Sequence, residues 1–597
     1  MLFVGALPVF FMELALGQFA SLGCVSVWKV CPLFKGVGIS MFIVSCFVAI
    51  YYNMIMAWSI FYLVASFRSQ LPWASCGPGW NTSDCYIADP VSEANCTAQN
   101  GTYLWWNSSC SLELDLNLTA IEPDHSTRKL PSDEYFHNYV LEITKGIHQI
   151  GGIRWQLALC LLLAWVIVFV CLFKSIKTSG KVVYVTTVAP YIILLVLLVR
   201  ALTLKGAMNG IMKFITFRWD RLLDARVWGD AAVQVFFSLS NCWGGLVTLS
   251  SYNKFHNDCY KDIWIITVGD AVSSCLCGLV TFAILGTMAH ERGTTFEDAG
   301  NQGAGLAFVV YAEAIARLPI APLWAVLFFT MLIMLGIDTQ FFVLETVVTS
   351  LCDEFPERLR KNHRHVLSLC SVIFYAFGVP LCTQGGMYIF QLLDSFAASW
   401  SLLIIGFFEC MAISWVYGID NFMDNIKWMI RYYPTPFWLW KIMWKFVTPL
   451  MLMAIMLFTW LNYRPVSYDE YQFPDWANLI GWAISFVSVS AIPITAIIKL
   501  CTAEGSCVKR MRDMICPEPD WGPALAIHRA EQYPLMIPEA RDPIRAVDSV
   551  FVNKSPLSEH SRLGDAGGPG GQSLGAFSSD LGDSGLDLPE FDKETAI

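Results

Sequence analysis

Long apolar runs, broken by short polar stretches, dominate this chain. A helix needs about 20 mostly apolar residues to cross a bilayer. Runs of that kind fall at roughly 2–20, 39–67, 155–173, 182–205, 229–252, 263–288, 321–350, 365–383, 387–417, 439–461 and 475–500. The stretches 39–67 and 155–173 reach membrane length with no charge in their apolar cores. The pattern predicts an all-α polytopic membrane protein with about eleven transmembrane helices. Residues 1–501 are expected to form the membrane domain and 502–597 a cytoplasmic tail in which apolar runs stop. From about residue 550 Gly, Ser, Asp and Pro prevail, a composition that predicts disorder.

The longest polar interruption, 68–153, sets the orientation. It holds five N-x-S/T sequons, at Asn81, Asn95, Asn100, Asn107 and Asn117. Such a cluster predicts a glycosylated extracellular loop, where disulfides persist. Cys76, Cys85, Cys96 and Cys110 lie in the same loop; most of the other cysteines sit in apolar runs as small buried side chains. The next connection, 174–181, carries Lys174, Lys177 and Lys181 and is predicted inside, as the positive-inside rule asks. Arg358, Arg360, Lys361 and Arg364 fall inside by the same alternation, whereas Arg218, Arg221 and Arg226 fall outside against the rule. Alternation then places Met1 outside without a signal peptide, so a preceding helix is expected to be missing from this sequence.

Composition narrows the class. Of 597 residues, 55% are hydrophobic, 14% aromatic and 15% charged, with net charge −10. Nothing here forms a basic stripe for nucleic acid. No His-Glu-x-x-His, Gly-x-Ser-x-Gly or phosphate-loop motif suggests an enzyme.

Polar residues inside the spans carry the candidate chemistry, because burying them in lipid is costly unless they are paired. The segment QVFFSLSNCWGG (234–245) places Gly, Ser and Asn at mid-membrane depth. Either the helix breaks there, freeing carbonyls and helix ends for ions, or the small residues form a packing face. Gln234 and Ser238 share one face one turn apart, as do Asp270 and Ser274 on the next helix. Asp338 and Thr339 lie in a deeply apolar setting, where Asp338 is either a satisfied structural acid or a ligand of a hard cation.

Six strings carry a family resemblance: MELALGQ (12–18), AIYYN (49–53), QVFFSL (234–239), SYNKF (251–255), LGIDT (335–339) and DEFP (353–356). Together they resemble the neurotransmitter:sodium symporter family, over nearly all of residues 1–530. The resemblance implies an inverted-repeat symporter fold with alternating access, in which the spans here correspond to helices 2–12 of twelve. It implies one sodium site with the Leu335 carbonyl, Asp338 and Thr339, and a second with Ser238 and Asp270. The family has Asn where Asp270 stands. Gln234, Ser238 and Ser274 match a chloride site, which an ionised Asp270 would disfavour. Tyr52 matches the tyrosine that binds the substrate carboxylate and Phe237 the aromatic lid. Asp394 and Asp353 match the outer and inner gate acids, Cys76–Cys85 the outer-loop disulfide. Glu13 is read as structural. The co-transported ions are Na⁺ and Cl⁻, with no other cofactor.

Pocket volume sets the substrate expectation. Ser240 and Trp243 line the interrupted stretch, and Trp243 and the branched Val343 leave room for a small zwitterion. The strings FSLS–WGG and NKFH look most like glycine transporters, with neutral/cationic amino acid and proline carriers as further relatives. The ending Glu-Thr-Ala-Ile, with Thr595 and Ile597, fits a PDZ groove by strand addition. Homo-oligomerisation stays open. A channel or a non-transporting membrane subunit is the rival class, and with helix 1 missing the chain by itself is expected not to transport. The expected location is the plasma membrane.

Overall fold

In the computed structural model, residues 1–87, 103–106, 109–112, 129–173, 176–292, 296, 305–461, 463, 465–468, 471–525 and 528–529 are described. Asn95, Asn100, Asn107, Asn117, Cys96, Thr595 and Ile597 lie outside them, as does the tail from 530 onward.

Apolar composition and scarce helix breakers make these segments helical. The principal helices are α1 (Leu7–Ala20), α2 (Lys35–Ser66), α3 (Trp155–Phe173), α4 (Ile176–Leu202), α5 (Ala225–Ser238), α6 (Gly245–Ser250) and α7 (Cys259–Arg292). There follow α8 (Ala321–Glu354), α9 (His363–Gly378), α10 (Gly386–Ala397), α11 (Trp400–Met411), α12 (Thr448–Leu461) and α13 (Asp475–Thr502). Among the described residues, ten runs are long and apolar enough to cross a membrane. With α5 and α6 as the two halves of one interrupted span, they account for the eleven read from the sequence.

One span departs from that reading. The run expected to be continuous over 387–417 breaks after Ala397 and resumes at Trp400. Neither Gly nor Pro stands at the break. Ser399 Oγ donates instead to the Ser395 carbonyl at 2.7 Å, a side-chain bond that competes with the helix ladder.

Helices α2 and α8 form the most extensive pair and run through the middle of the bundle. Around them the apolar side chains sort by neighbour. Trp28, Trp58, Trp73, Trp243 and Trp444 are fully buried. Leu159, Leu163, Val166 and Val170 on α3, like much of α4, remain exposed. An exposed apolar face of that extent belongs against lipid, not water.

The 68–153 connection is tied down where it is described. Cys76 and Cys85 are bonded, with Cα atoms 5.8 Å apart, as the resemblance implied. Asn81 Nδ2 donates to the Cys85 sulfur at 2.9 Å, and the Asn81 side chain is half-buried. Tyr62 packs between Trp73 (5.0 Å), Tyr135 (5.4 Å) and Phe329 (4.8 Å). Its hydroxyl donates to the Phe308 carbonyl at 3.1 Å, so the loop segment and two helix ends share one aromatic core. At the other face of the bundle, Trp521 is buried against Phe19, and Lys29 pairs with Asp520 at 2.5 Å. The start of the tail therefore folds back onto the membrane domain.

Close helix contact sets where small residues must stand. A Cβ on Gly17 of α1 would lie 2.1 Å from the Val247 carbonyl oxygen of α6. Backbone cannot yield as a flexible side chain can. Gly17→Ala is expected to cost about 1–3 kcal/mol, read as a lower thermal midpoint of the solubilised protein and less protein at the cell surface. An unchanged midpoint would show that α1 and α6 part without cost.

Candidate functional site

The site is built around the interruption between α5 and α6. Residues 239–244 leave the helix: Ser240 (φ 56°), Cys242 (φ 64°) and Gly244 (φ 79°) all take left-handed backbone. Only glycine adopts this freely, so the two non-glycine residues are held there by their surroundings. Glu13 Oε1 of α1 accepts the Cys242 N–H at 2.6 Å. Asn241 Nδ2 donates to the Ala6 carbonyl at 2.8 Å, and Ser45 Oγ of α2 donates to the Trp243 carbonyl at 2.6 Å. Of the two readings left open for this stretch, the helix break is the one realised. Glu13, read as structural, is one of its anchors.

Aromatic side chains wall the break. Trp243 is buried, with Phe237 edge-on at 5.0 Å and Phe342 at 6.4 Å. Val343 is buried on α8 and Ser240 is half-buried. Tyr52 of α2 lies beside Thr339 of α8.

Two acids stand on one polar belt that crosses four helices, α4, α5, α7 and α8. Asp338 accepts hydrogen bonds from Thr186 Oγ1 at 2.5 Å and Thr187 Oγ1 at 3.2 Å, both on α4. One turn further along α4, Tyr191 is hydrogen-bonded to Ser273 of α7 at 2.9 Å. Ser273 is three residues from Asp270, whose Oδ1 accepts from Ser238 Oγ of α5 at 2.5 Å. Ser238, Ser274 and Gln234 are exposed and Asp270, Asp338 and Thr339 half-buried, so the belt opens on a flank of the bundle. Beside it runs a groove lined by Tyr191, Trp264, Val268, Val272 and Ser273.

The belt joins oxygen-rich side chains at mid-span, the donor set a dehydrated alkali cation needs. Asp338 brings a carboxylate, Thr339 a hydroxyl, and Leu335 a carbonyl that already accepts from Thr339 Oγ1 at 3.3 Å. No Lys or Arg is paired with Asp338 or Asp270 among the described residues.

The two acids matched to the family's gates have different surroundings. Asp353 pairs with Arg360 at 3.2 Å and accepts the Gly23 N–H at 2.8 Å. Asp394 is exposed and sits beside Tyr51, the neighbour of Tyr52. Sequence reasoning missed Thr186, Thr187, Tyr191 and Ser273. The Thr-Thr pair in an otherwise apolar run was a visible signal; that it faces Asp338 was not. Near Asp353 it also missed a hydroxyl cluster, in which Tyr252 Oη donates to Glu345 at 2.9 Å and bonds Thr349 at 2.7 Å.

A helix broken inside a multi-span bundle, with carboxylates beside it that pair with no Lys or Arg among the described residues, is what an ion-coupled membrane carrier requires. The chain belongs to the sodium:neurotransmitter symporter family, whose model matches residues 1–503. It is 42% identical to the sodium-dependent acetylcholine transporter of Caenorhabditis elegans, over 100% of this chain and 85% of that protein. To the sodium- and chloride-dependent glycine transporter 2 of Xenopus laevis it is 47% identical, over 90% of this chain and 68% of the relative. To the sodium- and chloride-dependent neutral and basic amino acid transporter B(0+) of Mus musculus it is 41% identical, over 93% and 87%. It is thus a multi-pass plasma-membrane protein of a family of symporters.

The threonine pair gives a direct test. Thr186→Val removes one of the two hydroxyls that orient Asp338. It is expected to raise the sodium concentration for half-maximal uptake about tenfold, with the double variant T186V/T187V worse. Unchanged sodium dependence would remove Asp338 from the cation site.

Proposed function

We propose that this protein couples inward movement of Na⁺ to uptake of a small neutral amino acid, glycine first among candidates. One sodium binds the Leu335 carbonyl, Asp338 and Thr339; the other binds Ser238 and Asp270. The substrate carboxylate reaches Tyr52, and its small side chain faces Ser240, Trp243 and Val343 under Phe237. Asp394 and Asp353 serve as outer and inner gate acids. The observation that carries the substrate reading is Trp243, buried against Phe237 and Phe342, which occupies the space a larger side chain needs. Names of relatives point the same way, since one is a glycine and another a neutral and basic amino acid transporter.

A second reading has its own support. The same aromatic group, with Asp270 on the belt, suits a quaternary ammonium by cation–π attraction. One relative is named an acetylcholine transporter. The two readings separate in a single uptake panel.

Chloride is proposed to bind at Gln234, Ser238 and Ser274, weakly. The Asp270 carboxylate, 2.5 Å from Ser238 Oγ, already brings a negative charge to that place. The tail ending Thr595 and Ile597 is proposed to dock a PDZ scaffold.

Labelled glycine, alanine, proline, arginine and acetylcholine should be compared in sodium and choline media. Glycine uptake that needs sodium supports the first reading; acetylcholine uptake alone supports the second. Replacing chloride by gluconate is expected to lower uptake less than about twofold, while Asp270→Asn restores a chloride requirement of about tenfold or more. Full chloride dependence of the unaltered protein would overturn the role given to Asp270.

A further inference from the structure

Two acids inside the bundle stand apart from the belt. Glu13 on α1 and Glu409 on α11 are both fully buried. Their carboxylate oxygens and the Cys242 thiol lie within 4.8 Å of one another. Glu13 Oε1 accepts the Cys242 N–H, but Glu13 Oε2 and both oxygens of Glu409 have no hydrogen-bond partner. Two buried carboxylates, with three of their four oxygens unpartnered, thus meet at the point where the helix is interrupted.

No cation offsets them among the described residues. Those nearest on the elements packed around α1 and α11 are committed elsewhere: Lys445 lies over Trp415, Lys441 pairs with Asp420, and Lys29 pairs with Asp520. Arg226 and Asp230, at the start of α5, line a separate cavity with Trp400. The remaining titratable groups that face the pair are thiols: Cys242 from the break, Cys410 beside Glu409, and Cys24 just beyond α1. Thiols are uncharged at neutral pH, so they supply no counter-charge. Two carboxylates this close in a medium of low dielectric cannot both stay ionised.

We propose that Glu13 and Glu409 bind one proton between them, an ion site separate from the sodium and chloride belt. The proton sits on Glu409, converting its carboxylate to the neutral acid, and that acid donates to Glu13 Oε2. Glu13 remains ionised and keeps the Cys242 N–H on Oε1. The pair then carries a single negative charge, every proton is accounted for, and no redox step is involved. Because Glu13 also anchors residues 239–244, loss of the proton sets a second negative charge beside the broken helix and loosens its anchor. The inference goes beyond the substrate reading and does not depend on it.

Infrared spectra of the protein in membranes test this, taken in H₂O and D₂O at neutral pH as wild type minus Glu409→Gln. The expected result is a protonated-carboxyl stretch that shifts on deuteration and is absent from the variant. Glu409→Gln keeps a donor for Glu13, so its surface level and thermal midpoint should match wild type. The wild-type midpoint should fall as pH rises and the proton leaves, while that of the variant stays flat. Three results would overturn the proposal. One is no such band. Another is a bound divalent cation found by elemental analysis and lost in the variant. The last is failure of both E409Q and the fully neutral E13Q/E409Q to reach the surface, since amide isosteres satisfy whatever a shared proton satisfies.

Discussion

Everything in this bundle depends on keeping a stretch of broken helix inside a membrane. Backbone amides and carbonyls at that depth have no water to bond with, so irregular backbone survives only where protein satisfies it. Here three neighbours do so: Glu13 takes an amide, Ser45 caps a carbonyl, and Asn241 reaches back to Ala6. The left-handed residues Ser240 and Cys242 persist because these contacts over-determine them. Gly17 lets α1 approach α6 closely enough for the arrangement to exist.

Once the helix is broken there, the rest of the site has a place to form. Ser238 ends the first half and reaches Asp270; Trp243 crosses the break and meets Phe237. The α4 threonines and Tyr191 extend the polar line to Asp338 and Ser273, so four helices share one belt. Such a belt couples helices through hydrogen bonds, and under the proposed function a cation that enters takes the same oxygens. That is the physical basis on which an ion can alter the geometry around a substrate. At the far end, Arg360 on Asp353 and the returning tail at Trp521 close the bundle with ion pairs and aromatic packing.

Much of this was legible in the chain itself. The number of spans followed from run length, while Gly, Ser and Asn in an apolar helix marked 234–245 without deciding between a break and a packing face. Asp270, Asp338 and Ser238 stood out because polar groups are rare at that depth. What stayed hidden were pairings across helices. Thr186 and Thr187 looked like ordinary polar residues of α4, and nothing in the order of residues says that they face Asp338. Ser399 gave no warning either, since serine bends a helix only when its hydroxyl finds a carbonyl.

The sequence by itself determined the membrane architecture and singled out the polar residues inside it, because bilayer thickness and the cost of burying charge act on local composition. Tertiary structure alone decided which acid meets which hydroxyl, and that Glu13 and Glu409 face each other without a counter-charge among the described residues. Side chains 396 positions apart become neighbours only through helix packing, which no local pattern encodes.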